Sequence, residues 1–169
     1  MLQRIRKPRA QPTPARIAIV ASEYNRRHVD GLLDGALGVL REAEAETEVF
    51  RVPGAFEIPV VAEALAAEGT GVWSVVLCLG VIIRGETAHA DLVGGAVTNA
   101  LMDIAVRRRV PVVHEVLLVA SRAQADARCL DPGRNRGIEA ARTALAMVRL
   151  MARLPGSSRP AATTAGGKA

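Results

Sequence analysis

The chain has 169 residues, half of them apolar, and a formal net charge of +5 at pH 7. This length predicts one domain with a substantial core, and no apolar run reaches membrane-spanning length. Much of the positive charge lies near the two ends, and only four residues are aromatic. A nucleic-acid protein with a basic face and stacking rings is therefore not favoured, and nucleic-acid binding through the basic start is a minor alternative.

The two ends differ in composition from the rest of the chain. Residues 1–15 carry three prolines among basic and polar residues, so we expect a flexible arm there. Residues 154–169 are expected to form a disordered tail, which leaves residues 16–153 as the folded domain. The basic start lacks the apolar segment of a signal peptide, and Cys78 and Cys129 show no paired spacing. We therefore expect a cytoplasmic protein with free thiols and no membrane partner.

Apolar periodicity predicts strands and helices that alternate along the chain. Four short apolar runs are typical of buried strands, and each is followed by apolar residues at helical spacing. Strict alternation favours an α/β fold, a three-layer α/β/α sandwich with a four-stranded parallel sheet. The strands are predicted at 17–21, 47–52, 73–83 and 110–119, and the helices at 27–44, 56–67, 87–109, 121–129 and 135–153.

The junction after the third strand is the first candidate for a binding site. Arg84-Gly85 ends the strand, and Thr87 and His89 begin the next helix. Open α/β sheets bind ligands at the carboxyl ends of their strands, and the free N–H groups of a helix start suit an anion. His89 is either a proton-exchanging histidine or an ordinary surface one, and Thr87 is either a ligand or the helix cap. The carboxylate of Glu86 must point away from a bound anion.

Two other junctions and one later arginine carry further candidates. Phe56 can stack on a ring and Glu57 can bind hydroxyl groups, although a core phenylalanine and a dipole-stabilising glutamate are the alternatives. Tyr24 is either a stacking platform or a partly buried tyrosine. Arg128 can supply a cation for a phosphate, although a solvated surface arginine is commoner. The sequence shows no glycine-rich nucleotide motif, no Walker lysine and no cluster at metal-ligand spacing.

Four segments of the chain form a specific pattern when they are taken together. They are Tyr24-Asn25, Val52-Pro-Gly-Ala-Phe-Glu-Ile-Pro59, Leu79-Gly-Val-Ile-Ile-Arg-Gly-Glu-Thr-Ala-His89 and Asn135-Arg-Gly-Ile-Glu-Ala-Ala141. The second and third are the most specific. In this order and spacing, across residues 16 to about 150, the segments resemble the lumazine synthase family.

The resemblance implies a transferase of riboflavin biosynthesis that uses neither a metal nor an organic cofactor. Such an enzyme condenses 5-amino-6-(D-ribitylamino)uracil with 3,4-dihydroxy-2-butanone 4-phosphate to give 6,7-dimethyl-8-ribityllumazine, with loss of phosphate and water. The family assembles as homopentamers, paired pentamers or sixty-subunit shells. Each site lies between neighbours, and the strand-four region comes from the adjacent subunit.

The resemblance also assigns roles to individual residues. Tyr24 would stack on the pyrimidine ring. The phosphate would be held by Glu86, Thr87 and Arg128. His89 would shuttle protons during imine formation and phosphate loss. The ribityl chain and the ring would be held by Ala55, Phe56, Glu57, Val81, Ile82 and Ile83.

Several positions depart from the family pattern. His114 stands where the family usually has an aromatic side chain over the substrate ring after strand four, and residues 115–122 lack the usual Gly-(Ile/Val)-Leu-Thr sequence. Arg136 replaces a lysine, keeping its charge but not its shape, and Ala90 replaces an aromatic residue. His114 can still stack and Arg136 can still bind an anion, so a working enzyme is the first hypothesis. A non-catalytic flavin- or pteridine-binding or shell-forming paralogue is the alternative.

Overall fold

The computed structural model describes residues 12–155, which form alternating strands and helices as the apolar periodicity predicts. Each predicted end lies within two residues of the observed one. The strands are β1 (Arg16–Ser22), β2 (Glu46–Val52), β3 (Val75–Ile83) and β4 (Val112–Val119). The helices are α1 (Arg26–Glu42), α2 (Ile58–Ala67), α3 (His89–Arg108), α4 (Arg122–Cys129) and α5 (Arg136–Met151), and a single 3-10 turn at Ala55–Glu57 precedes α2.

The sheet has the strand order β2-β1-β3-β4, and every neighbouring pair is parallel. Ser22 lies opposite Val52, and Ile83 lies opposite Val119, so the strands end level in pairs. All four carboxyl ends therefore open at one edge of the sheet. The prediction of a three-layer α/β/α sandwich with a four-stranded parallel sheet is confirmed, and this edge is where such folds bind ligands.

Two apolar cores, one on each face of the sheet, hold the layers together. Because successive strand residues point to opposite faces, a strand covered on both sides is nearly continuously apolar, as β3 and residues 17–21 of β1 are. One face is covered by α1 and α5. There the strand residues Ile17, Ile19, Leu77 and Leu79 pack with Leu32 and Leu40 of α1 and Leu145 of α5. On the other face Val20, Val76 and Cys78 pack with Ile58 and Ala62 of α2 and Leu101 and Ile104 of α3.

Side-chain caps begin the last two helices where the sequence predicts them. The hydroxyl of Ser121 accepts from the Gln124 amide at 3.3 Å, and the Asn135 side chain accepts from two amides in the first turn of α5. Asn135 also donates from Nδ2 to the carbonyls of Gly31 and Cys129, at 2.7 and 2.6 Å. This one buried amide therefore joins α1, α4 and α5.

The predicted arm and tail fall mainly on residues 1–11 and 156–169, which lie outside the described residues. The domain boundaries therefore stay a prediction. Of the stretch before β1, Thr13 is buried, and its amide donates to the Ala43 carbonyl at 2.9 Å. Between residues 12 and 155 there is no helix with the length and apolar character needed to cross a membrane.

Candidate active site

Hydrogen bonds join the first three strand-to-helix junctions at the carboxyl edge of the sheet. The Tyr24 amide donates to the Pro53 carbonyl at 3.0 Å, which links the junctions after β1 and β2. The Asn25 side chain donates from Nδ2 to the Val81 carbonyl at 2.8 Å, which links the first junction to the end of β3. The structure therefore brings together three junctions that the sequence predicts to bind ligands.

Two aromatic rings stand exposed at these junctions. Tyr24 is 73% exposed and Phe56 is 63% exposed, so the alternatives of a partly buried tyrosine and a core phenylalanine are wrong. An exposed aromatic ring can stack on a planar ligand, and both rings lie at junctions that a backbone hydrogen bond joins. The absence of a side chain at Gly54 leaves room for Glu57, whose Oε2 would lie 2.9 Å from a Cβ at that position.

The end of β3 is extended by one residue and closed by an ion pair. The Arg84 amide donates to the Val119 carbonyl at 2.8 Å, which prolongs the pairing of β3 with β4 beyond Ile83. The Arg84 guanidinium then pairs with the carboxylate of Asp91, in the first turn of α3. This pair closes the loop that carries the exposed residues Gly85, Glu86, Thr87 and Ala88.

Helix α3 begins at His89, two residues after the predicted start, and the Thr87 hydroxyl contacts its first amide. The residue before the helix is Ala88, which already has near-helical dihedral angles of φ −68° and ψ −1° and makes no side-chain cap bond. These near-helical angles put Ala88 within the first turn, and the Thr87 hydroxyl accepts from the His89 amide, two residues on, at 3.4 Å, as a helix cap does. The Thr87 side chain is also exposed, so its hydroxyl hydrogen can be donated to a ligand.

Within residues 12–155, no hydrogen bond or ion pair joins His114 or Arg128 to these three junctions. His114 is the third residue of β4 and pairs with Cys78, so its placement after strand four is wrong. Strand β4 continues to Val119, which puts His114 about 16 Å along the strand from its carboxyl end. The Arg128 guanidinium donates to the Gln124 carbonyl at 3.1 Å, and in the part of the chain that is described no hydrogen bond or ion pair joins it to the other candidates.

His114 and a buried ion pair line a groove of about 440 Å³ along the edge strand β4. The His114 ring lies 2.9 Å from the Thr98 hydroxyl, and burial lowers the pKa of His114. On the opposite face of β4, Glu115 is 3.2 Å from Arg136. Burial raises the pKa of Glu115, although the Arg136 cation opposes that shift. The sequence alone assigns no role to Glu115. The one feature that marks it is a charged residue inside an apolar run.

No group of three or more His, Cys, Asp or Glu side chains within residues 12–155 is placed to hold a metal ion. The exposed groups at the three joined junctions are instead two aromatic rings, a carboxylate, a hydroxyl, a helix start and a histidine. That combination can bind a planar ring with a polyol beside a small anion, and it can move a proton between them.

Comparison with known proteins gives one consistent result. The family described as 6,7-dimethyl-8-ribityllumazine synthase matches residues 14–152. A protein of that name from Methylobacterium radiotolerans is 43% identical over 86% of this chain and 87% of the relative. Relatives from Caulobacter vibrioides, whose name ends in "synthase 1", and Stenotrophomonas maltophilia are 39% and 42% identical, each over 85% of this chain and 94% of their own. The chain belongs to the 6,7-dimethyl-8-ribityllumazine synthase family.

Proposed function

We propose that the chain catalyses the condensation of 5-amino-6-(D-ribitylamino)uracil with 3,4-dihydroxy-2-butanone 4-phosphate to 6,7-dimethyl-8-ribityllumazine. Family membership supports this reaction, since the three relatives carry that synthase name. The observation that carries the proposal is the joining of three junctions at one edge of the sheet. Their exposed groups match the two substrates, a ring with a polyol and a small phosphate ester.

The ring and its ribityl chain bind between the first two junctions and the end of β3. Tyr24 stacks on the pyrimidine, and its 73% exposure supports this role because nothing in the fold needs that ring for packing. Glu57 accepts hydrogen bonds from the ribityl hydroxyls. The remaining contacts come from the neighbouring backbone and apolar side chains of Ala55, Phe56, Val81, Ile82 and Ile83.

The phosphate binds at the start of α3. The free amides of this helix start suit an anion, and the exposed Thr87 hydroxyl, which accepts from the His89 amide, can donate its own hydrogen to the phosphate. Glu86 contributes its backbone N–H, while its exposed carboxylate turns to solvent. Arg128 supplies the cation that neutralises the phosphate charge, and a planar guanidinium suits two phosphate oxygens at once.

His89 carries the proton transfers of the reaction. Imine formation requires a proton to leave the attacking amine and another to reach the oxygen that departs as water. His89 is exposed at the first position of α3, directly after the proposed phosphate-binding loop, and imidazole exchanges protons near neutral pH. The rest of the rate enhancement comes from holding the two substrates next to each other.

The active unit is a homopentamer, or a larger assembly of pentamers, with each site between two subunits. The outer face of α3 supports this, since its Leu92, Met102 and Val106 are all exposed and recur on one side of the helix. His114 and Arg128 support it too, since in the described part of the chain no hydrogen bond or ion pair joins either of them to the three joined junctions. A second copy can bring those two residues to a site that its neighbour otherwise forms.

The enzyme acts in the cytoplasm. Cys78 and Cys129 are buried and free, and burial raises the pKa of the Cys129 thiol to about 12. Free thiols are typical of proteins from reducing compartments, which supports this location.

Steady-state kinetics of two variants test the assigned roles. His89→Ala should lower kcat about 100-fold, the usual contribution of a positioned proton-transfer group. Arg128→Ala should raise KM for the phosphate substrate about tenfold or more and leave KM for the pyrimidine unchanged. Arg41→Ala is the control, because Arg41 is an exposed arginine in the last turn of α1, at the opposite edge of the sheet. Wild-type kinetics in both site variants would refute the assignment.

A further inference from the structure

The imidazole of His28 is the most deeply buried histidine side chain in the described part of the chain, and it bridges two helices. His28 is 3% exposed, in the first turn of α1, and its Nε2 lies 2.8 Å from Oδ1 of Asp126 in α4. A carboxylate only accepts hydrogen bonds, so Nε2 carries the donated proton. A buried polar group without a hydrogen-bond partner costs free energy, so the packing of α4 against α1 requires this contact.

Helix α4 is short, so one polar contact contributes more to its position than a single contact does in the longer helices. It has eight residues, and only Ala125 and Cys129 of them are buried. Such a small apolar face gives weak packing, so polar bonds must help to orient the helix. The Asn135 side chain donates to the Cys129 carbonyl at the carboxyl end of α4. His28 contacts Asp126 in the middle of the same helix.

The contact bears on Arg128 through the geometry of the helix. Asp126 and Arg128 are two residues apart, which separates their side chains by about 200° around the helix axis. The bond that turns Asp126 toward α1 therefore turns Arg128 away from α1. The one hydrogen bond of the Arg128 guanidinium within residues 12–155 goes to Gln124 of the same helix, so its position follows that of α4.

We propose that His28 is a positioning residue for phosphate binding, which acts by holding α4, and with it Arg128, through Asp126. This rests on the proposed function, in which Arg128 binds the phosphate of the second substrate. The backbone amide of His28 also donates to the Asn25 carbonyl at 2.9 Å, next to Tyr24. A substitution that keeps the backbone leaves this second bond in place, so the effect falls on the phosphate and not on the pyrimidine.

The test compares the full-length wild-type protein with His28→Leu. This substitution replaces the imidazole by an apolar side chain of similar size and so removes the hydrogen-bond donor. His28→Leu should raise KM for the phosphate substrate about fivefold to tenfold, the effect of one lost charge-assisted hydrogen bond, with KM for the pyrimidine unchanged. The Kd of inorganic phosphate, measured by titration without turnover, should rise by the same factor. His28→Gln restores a donor and should lie within about twofold of wild type.

Two further variants keep the proposal falsifiable. In an Arg128→Ala background, His28→Leu should add less than about a twofold further loss, because both act through one group. If His28→Leu does not fold, Asp126→Ala replaces it with the same expected effects, since Asp126 is nearly half exposed. Equal changes in both KM values, or an unchanged phosphate Kd in folded His28→Leu and Asp126→Ala, would overturn it. Wild-type protein that binds phosphate but makes no product would instead count against the proposed function.

Discussion

The side chain of Asn25 donates to the Val81 carbonyl at 2.8 Å, so it ties the turn that presents Tyr24 to the end of β3. Asn25 has a φ of 58° and a ψ of 36°, in the left-handed region that asparagine and glycine tolerate best. One residue therefore provides both the backbone geometry of the turn and its attachment to the neighbouring strand.

Substitutions at Asn25 should separate these two contributions. Asn25→Gly keeps the left-handed turn and loses the hydrogen bond, so KM for the pyrimidine should rise about fivefold to tenfold. Asn25→Ala loses the hydrogen bond and also carries about 1 kcal/mol of backbone strain, so it should in addition lower the melting temperature. Kinetics and thermal unfolding of both variants check this. A glycine variant with unchanged KM would show that the bond does not position Tyr24.

The Arg84–Asp91 pair should hold the loop that carries Thr87 and His89. Asp91→Asn or Arg84→Gln should lower kcat/KM for the phosphate substrate about twofold to fivefold, since an exposed ion pair contributes up to about 1 kcal/mol and the loop loses its closure. The exchanged pair, Arg84→Asp with Asp91→Arg, should recover most of that loss. The measurement is kcat/KM for each substrate in the three variants. Loss in both single variants without recovery in the exchanged pair would mean that the two side chains act separately.

Burial of His114 predicts a defined pH dependence of stability. Its pKa in the folded protein is below the ordinary 6.5, so the unfolded chain binds this proton more readily. Its contribution to stability is therefore complete above pH 6.5 and is lost as the pH falls below that value. His114→Phe removes the titrating group. Between pH 7.5 and pH 5.5 the melting temperature of wild type should consequently fall by more than that of the variant, at equal protein concentration. Parallel curves for the two proteins would contradict the predicted sign.

The outer face of α3 should be an interface between copies of the chain. Met102→Glu places a charge among the exposed apolar residues Leu92 and Val106, so it should break the proposed pentamer into smaller species. Leu150→Glu is the matched control, because Leu150 is an exposed leucine on α5. Light scattering should give a smaller mass for Met102→Glu alone, and activity should fall with it because each proposed site lies between two subunits. A wild-type mass for Met102→Glu would show that this face of α3 does not form the interface.

Most of the fold can be predicted from the sequence because each strand and helix leaves a pattern in residues that are close together along the chain. Strands covered on both faces are nearly continuous apolar runs, and the helices that cover them show apolar residues on one side. Ser121 and Asn135 mark helix starts, and both cap as expected. Thr87 also accepts from a first-turn amide, that of His89, although α3 begins two residues after its predicted start.

The parts of the site that could not be predicted depend on contacts between distant residues. Asn25 and Val81 are 56 residues apart, and His28 and Asp126 are 98 apart, so only the folded chain shows that they meet. The exposure of Phe56 has the same origin, since an aromatic residue at the start of an apolar helix is equally compatible with the core. The family resemblance implies roles for Tyr24, Phe56 and Arg128, whereas the Asn25–Val81 and His28–Asp126 contacts are seen only in the structure.

The most direct test of the proposed reaction is the condensation itself, with the wild-type protein at a mass established by light scattering. With both substrates at saturation, the fluorescence of 6,7-dimethyl-8-ribityllumazine should appear together with one equivalent of inorganic phosphate, and neither should appear at the enzymatic rate in His89→Ala. Folded, assembled wild-type protein that binds the lumazine and forms no product would contradict the proposed reaction and favour a non-catalytic pteridine-binding role.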